Sequence, residues 1–311
     1  MSSMNVITLG VHVLDVHVRP VESIPERNDG QIVDEIAMSP AGTAGGTATI
    51  LRKLGATVRS FGAVGQDPLG ETLLALLERA GVDTTHLVRR GSAQTSASVL
   101  PVRPNGDRPA WHCIGANGVY TLDDVDLDEI ASATHLHLGG PEFLGGEAAA
   151  KVLSHAREHG VVTSVDLLAP GDPGMLEWVE AAFPYTDYFL PNDEQLLGLT
   201  GAGSLEQAAR QILGKGAGCV AVTRGSEGAL VVTADETVAV PAFAVDVVDT
   251  TGCGDAFSAG FLRGVAGGKD LRESAVLGSA TAALVAQGLT TSHGDFDLVS
   301  VERFASATPT R

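Results

Sequence analysis

The sequence predicts an α/β fold: a doubly wound, mainly parallel central sheet with helices on both faces and a small β lid. Three observations carry this. From residue 134 onward, short β-branched runs at 134–138, 161–165, 188–190 and 219–223 alternate with helical patterns near 142–159, 173–182 and 204–213, the order that builds parallel strands through crossover helices. Many of the 38 glycines stand in pairs or triplets at the ends of apolar runs, where chain reversals need them. The segments at about 12–40 and 93–118 break the alternation and are rich in β-forming residues.

Taken in order, residues 5–13 read as the first strand, and alternating β-branched and polar residues continue to about Met38. A helix over 44–54 opens on glycine and threonine and closes at Gly55, and a strand follows over 58–64. Pro68 begins a helix whose Leu69, Leu73, Leu76, Leu77 and Ala80 share one face, with Gly81 as its stop. Short strands at 95–102 and 108–114 flank Pro104-Asn105-Gly106-Asp107, a turn cluster typical of a hairpin. After the alternating region, 252–265 and 271–286 form a final helical pair. The whole, 1–311, reads as one domain with the two inserted β segments as its lid, placed over the carboxyl ends of the core strands where such sheets bind ligands.

Composition narrows the function. With 44% apolar and 19% charged residues the chain builds a full core. A formal net charge of −18 repels nucleic acid and anionic lipid, so neither is expected as a partner. Cys113, Cys219 and Cys253 form no CxxC pair, which fits a reducing, cytoplasmic setting. The N-terminal apolar run lacks a basic lead and is soon broken by Asp15, and 275–286 is too short for a bilayer span.

The most informative segment is Asp249-Thr250-Thr251-Gly252-Cys253-Gly254-Asp255, followed by the small-residue helix Ala256, Phe257, Ala259, Gly260, Leu262. Gly252 and Gly254 let successive amides turn toward one point, and the helix start adds unsatisfied N–H groups and a positive dipole end. Together they suit a transferring phosphoryl group. Asp255, in the first turn, is placed to take a proton from an attacking hydroxyl. An isolated Gly-x-Gly-Asp is equally consistent with a simple cap and turn; the seven-residue pattern is far more specific.

That segment resembles the second signature of the ribokinase-like (PfkB) carbohydrate kinase family, with Cys253 for the usual alanine. Gly65-Gln66-Asp67-Pro68-Leu69-Gly70, Pro191-Asn192-Asp193-Glu194 and Thr223-Arg224-Gly225-Ser226-Glu227-Gly228 resemble further family segments in the family's order. The resemblance implies an ATP-dependent carbohydrate kinase with Asp255 as base and the amides of Gly252, Cys253 and Gly254 as anion hole. It assigns the nucleotide to Asn192, Thr223, Gly225, Gly228 and Ser279. It implies Mg2+, although the family's glutamate position is Gln195 here and Glu194 stands one residue early; Glu194 is either its substitute or a solvated helix-start charge. A monovalent cation such as K+ near Asp249 and Thr251, and a homodimer through the lid, are implied by some members.

At the substrate end, Asp15 matches the family's hydroxyl-gripping carboxylate. Ala41-Gly42-Thr43-Ala44-Gly45-Gly46 resembles the first signature, so Gly42, Gly45 and Gly46 join the substrate set. Gly46 replaces an asparagine that bonds substrate hydroxyls, and the space it leaves is open to a bulkier substrate or a water. Lid residues Arg103, Arg108, Trp111 and His112 either cover the substrate or pack a small sheet or dimer interface. Asp166 ends a strand, as a cleft residue or a plain loop carboxylate. His155-Ala156-Arg157-Glu158-His159 fits a zinc-hydrolase pattern but reads better as a solvated helix end, since no third ligand is evident. There is no Walker A sequence and no G-x-G-x-x-G after the first strand. A sugar kinase is thus expected, with a nucleoside kinase or a non-catalytic sugar- or nucleotide-binding regulator as alternatives.

Overall fold

Gly10 divides the first apolar run between two sheets. Its φ is 121°, and a Cβ there would sit 2.0 Å from the carbonyl oxygen of Gly139, so no other residue fits. The expected strand over 5–13 is therefore two strands, β1 (Asn5–Gly10) and β2 (Val13–Arg19). The computed structural model describes residues 4–311. Its chain continues through β3 (Glu35–Ala41), α1 (Gly45–Lys53), β4 (Thr57–Gly65), α2 (Pro68–Arg79), β5 (Asp83–Arg90), β6 (Ala97–Pro101), β7 (Trp111–Cys113) and α3 (Leu127–Ala131). Then follow β8 (His135–Gly139), α4 (Pro141–Leu144), α5 (Gly146–Glu158), β9 (Val162–Asp166), α6 (Pro173–Val179), β10 (Tyr188–Phe189), α7 (Asp193–Thr200), α8 (Leu205–Gly214) and β11 (Cys219–Thr223). The last elements are β12 (Ala229–Val232), β13 (Thr237–Val240), α9 (Cys253–Ala266), α10 (Leu271–Val285) and α11 (Leu298–Ala307).

The central sheet has the order β13-β12-β11-β10-β9-β8-β1-β4-β5. Its strands are parallel from β5 through β11; β12 runs antiparallel to them, and β13, antiparallel to β12, points the same way as the rest. The chain winds outward from β1 to β5, then returns beside β1 and winds the other way. The reversal lies between β1 and β8, where a doubly wound sheet opens a crevice at its carboxyl edge. Helices cover both faces: α1, α2, α9 and α10 bury Ile50, Leu73, Phe257, Phe261 and Leu277 on one side. On the other, α5 and α8 bury Val152, Leu153, Ala208 and Ile212.

The sequence pattern does not predict β5, α3, β12, β13 or α11, and it marks only the start of α7, at Glu194. β5 is an edge strand of sequence Asp83-Thr-Thr-His-Leu-Val-Arg-Arg90, half-buried along most of its length and polar on both faces, so it lacks an apolar alternation to find. No helix among the described residues is long and apolar enough to cross a membrane.

A second sheet has the order β3-β2-β6-β7. Its register creates two unlike faces. Ser39, Asp15, Ser98 and His112 form one cross-strand row, and the first three are at least nine-tenths buried. One residue along, Met38, Val16, Val99 and Trp111 form the row on the opposite face. There Met38, Val99 and Trp111 are 52%, 41% and 57% exposed. The usual apolar-in, polar-out pattern is inverted.

Candidate active site

The loop 249–255 begins where Val248 N–H donates to the Ala286 carbonyl at 2.8 Å. Asp249 is fully buried. Its Oδ1 accepts from the Thr251 amide at 2.9 Å and hydroxyl at 2.7 Å, and Oδ2 lies 3.3 Å from His17 Nδ1. That last contact lacks hydrogen-bond geometry, so Oδ2 is a buried carboxylate oxygen without a donor. Burial alone would raise the Asp249 pKa; the contacts with His17 and Thr251 outweigh it and hold the group below its usual value.

Gly252 is needed on two counts. Its φ is 75°, and a Cβ would meet the Thr291 carbonyl oxygen at 2.4 Å. From it springs α9 with no side-chain cap, so the first-turn amides are left for a ligand. The Cys253 amide is partly engaged, donating to the Thr250 carbonyl at 3.3 Å. Gly254 is exposed, and a Cβ there would meet nothing within 4 Å. The protein itself does not require glycine at 254; the open space is room for something bound. Burial first, then the charge of Asp249, pushes the Cys253 thiol up to about 12, so it is neutral.

Asp255 sits in the first turn of α9 with its carboxylate against α1. A Cβ at Gly46 would lie 2.2 Å from Asp255 Oδ2 and 3.0 Å from Thr291 Cγ2. The space at Gly46, expected to be open to substrate or water, is thus filled by the Asp255 carboxylate. Burial, and next the charge of Asp15, pushes the Asp255 pKa up to about 8 against the opposing Arg108. Nearby, Asp166 is buried and held well above the usual carboxylate range by burial and then by Asp255. It accepts from the Leu167 amide at 2.8 Å and lies 3.4 Å from Ser258 Oγ.

The second sheet closes the other side. Burial raises the Asp15 pKa, while Ser98, His17, Arg108 and His112 act to lower it. His112 Nδ1 is bonded to Ser98 Oγ at 3.0 Å, so His112 belongs to the Asp15 row. Trp111 stands on the opposite face and does not cover Asp15. Gly42 meets a backbone demand, with φ 82° and a Cβ that would meet the Val11 carbonyl oxygen at 2.6 Å, whereas Gly45 leaves room for the His12 ring, whose Cδ2 would lie 3.1 Å from a Cβ there. A buried chain ties the small sheet to the loop after α10: His17 Nε2 bonds Ser39 Oγ at 2.9 Å, and Ser39 Oγ bonds Thr291 Oγ1 at 3.1 Å.

On the far side of the loop lies a mainly apolar cleft. Thr223, Gly225, Gly228, Gly254, Phe257 and Ser279 line it. Asn192 and Thr223 are bridged at the carboxyl edges of β10 and β11. Asn192 is occupied as the cap of α7, accepting from the Gln195 amide at 2.8 Å. Gln195 is buried and donates to the Leu167 carbonyl at 2.9 Å, while Glu194 is exposed. Neither residue offers a carboxylate directed at the cleft from this turn, and among the described residues no group of three His, Cys, Asp or Glu is arranged to hold a metal. His155 and His159 have ring centroids 4.4 Å apart, but His159 Nδ1 bonds the His155 carbonyl at 2.9 Å.

Three contributors escaped the sequence reading. His17 follows Asp15 by two, the spacing of one strand face, and that alternation was a usable signal. Thr291 and Arg311 gave none: Thr291 lies in an irregular loop, and Arg311 reaches the cleft because its amide donates to the Ala242 carbonyl at 2.8 Å.

A family model described as pfkB family carbohydrate kinase matches residues 6–295. An uncharacterized sugar kinase of Archaeoglobus fulgidus is 34% identical over 239 residues, covering 75% of this chain and 92% of that protein. An ATP-dependent ribose-1-phosphate kinase of Halopiger xanaduensis is 32% identical over 249 residues, 80% of each chain. Among solved structures, an E. coli protein described as ribokinase II, in complex with ATP and Mg2+, superposes with a TM-score of 0.84. It covers 97% of this chain and 99% of its own, and at 23% identity it speaks for the fold.

Proposed function

We propose, from the premise that this chain belongs to the pfkB family of carbohydrate kinases, that it transfers the γ-phosphoryl group of ATP to a hydroxyl of a small sugar or sugar-like molecule. The observation that carries the reading is the position of Asp255. It lies in the first turn of an uncapped helix, between the apolar cleft and Asp15, with its carboxylate seated over Gly46.

ATP is assigned to the cleft lined by Thr223, Gly225, Gly228 and Ser279, with its phosphates at the Gly254 end. The amides at the start of α9 face the transferring group, and Asp15 accepts hydrogen bonds from acceptor hydroxyls. Asp255 takes the proton of the attacked hydroxyl; a pKa of about 8 makes it a stronger base than an ordinary carboxylate. Mg2+ supplies charge neutralisation on the nucleotide phosphates when bound; with Gln195 tied to Leu167 and Glu194 exposed, no residue of the 192–195 turn is assigned to it. A monovalent cation fits beside the donorless Oδ2 of Asp249, and faster turnover in potassium than in a bulky organic cation would bear that out. The exposed apolar row of Met38, Val99 and Trp111 supports a homodimer formed through the lid.

An ADP-release screen across pentoses, hexoses, sugar acids, sugar phosphates and nucleosides tests the reading. Acceptor-dependent release is expected, with Asp255→Asn reducing turnover by about 10²–10⁴-fold while ATP still binds. Retained turnover in that variant would remove Asp255 as base. A nucleoside as best acceptor would make the chain a nucleoside kinase, and binding without release would make it a regulator.

A further inference from the structure

Acidic groups crowd the proposed transfer site. Asp15, Asp249 and Asp255 converge on it, and Asp166 lies behind. A phosphoryl group brought into that field adds more negative charge at close range, in surroundings where charges are poorly screened. Arg108 is the side chain that answers this.

Arg108 is carried on the turn between β6 and β7. That turn rests on the segment leading to the phosphate loop: a Cβ at Gly106 would lie 3.9 Å from the Val248 carbonyl oxygen and 4.0 Å from Val247 Cγ1. The contact brings Arg108 Nε to 3.9 Å from Asp249 Oδ1. The same charge acts to lower the pKa values of Asp15 and Asp255, so its field reaches both. At 3.9 Å the Asp249 contact is an ion pair rather than a hydrogen bond, so the planar fork of donors is unspent there. The side chain is 37% exposed, open on the side from which a ligand would arrive.

We propose that Arg108 is a catalytic residue, its guanidinium donating to the equatorial oxygens of the phosphoryl group in transit. This rests on the kinase reading above. The acceptor oxygen bonds to the γ-phosphorus as its proton passes to Asp255. The bond from that phosphorus to the bridging oxygen breaks, and its electron pair leaves on ADP. Arg108 stays protonated throughout. An arginine suits the task because its fork matches two oxygens of a tetrahedral or planar phosphoryl group, where a lysine offers a single point charge.

The test uses the full chain with Arg108→Gln and Arg108→Lys, assayed with the best acceptor from the screen. The expected result is a fall in kcat of about 10²–10³-fold in Arg108→Gln for every acceptor, with both KM values within about threefold of wild type and partial recovery in Arg108→Lys. Calorimetry with Mg2+ and ADP, alone and with tetrafluoroaluminate as a mimic of the phosphoryl in transit, gives a second readout. Wild type is expected to bind the combination more tightly than ADP alone, and Arg108→Gln to lose that gain while keeping its ADP affinity. Unchanged kcat in Arg108→Gln overturns the proposal and leaves the kinase reading standing. So does a rise confined to the KM of anionic acceptors, which would make Arg108 a reader of acceptor charge. A wild-type chain with no acceptor-dependent ADP release overturns both.

Discussion

Gly46→Ala adds one methyl group where the first turn of α1 meets the Asp255 carboxylate. The new carbon would stand 2.2 Å from Oδ2, 2.7 Å from Cγ and 3.0 Å from Thr291 Cγ2. Ordinary contact between a carbon and its neighbours is about 3.5 Å, so the carboxylate must retreat by about 1 Å or swing to another rotamer. A misplacement of about 1 Å costs on the order of 10²-fold in rate. The backbone itself is indifferent, because Gly46 is not among the glycines with positive φ. Alanine in a helix is favoured over glycine by about 0.5–1 kcal/mol, which offsets part of the crowding. The two consequences therefore separate: kcat should fall about 100-fold while Tm stays within about 3 °C of wild type. Acceptor-dependent ADP release and a thermal melt, run side by side, measure both. Wild-type kcat in the alanine variant would show that Asp255 works from a different position. A Tm loss beyond about 6 °C would mean that the site is rigid enough for the methyl group to disrupt packing instead.

Three further outcomes follow from the same geometry. Because burial raises the folded-state pKa of Asp255 from 3.8 to about 8, the folded chain holds a proton that the unfolded chain gives up across that interval. Stability from this group is thus full below pH 3.8 and lost as pH rises to about 8; Asp255→Asn should match wild type in chemical denaturation at the acid end and exceed it at pH 9, and the opposite ordering would contradict the burial. Arg311→Ala removes a wall of the nucleotide cleft and should raise the ATP KM roughly fivefold, about 1 kcal/mol, with kcat unchanged; steady-state kinetics at saturating acceptor decide it. Trp111→Lys puts a charge in the exposed apolar row and should shift sedimentation from dimer to monomer, whereas an unshifted profile would place the dimer contact elsewhere.

How much of this could be read from the sequence depended on whether a residue's role is local. The order of strands and helices after residue 134 was legible because buried parallel strands are apolar runs and their helices are amphipathic. The turn at 249–255 was legible because its glycines answer to backbone conformation, and Gly252 does have the required positive φ. The edge strand β5 was not, since its polar residues on both faces carry no apolar alternation. Gly46 was misread for a related reason. It looked like a gap on its own helix, and only the tertiary approach of α9 shows that the Asp255 carboxylate occupies it. Gln195 looked like a lost acid, yet its amide caps α7 and reaches the Leu167 carbonyl. Arg108 could be named as a lid residue, but its neighbourhood with Asp249 depends on where the Gly106 turn comes to rest.

The inverted small sheet places an unusual constraint on how this chain can vary. Along β2, β3, β6 and β7, neighbouring residues answer to different masters: Asp15, Ser39, Ser98 and His112 face inward, while Val16, Met38, Val99 and Trp111 face outward. Point substitutions can tune either set without touching the other. A single inserted or deleted residue within a strand would exchange the two beyond that point, turning carboxylate and imidazole to solvent and methionine and tryptophan inward. Length variation in relatives should therefore gather in the connections at 20–34 and 102–110 and spare the strands. The sheet works as a page printed on both sides, where a shift of one letter scrambles both texts at once.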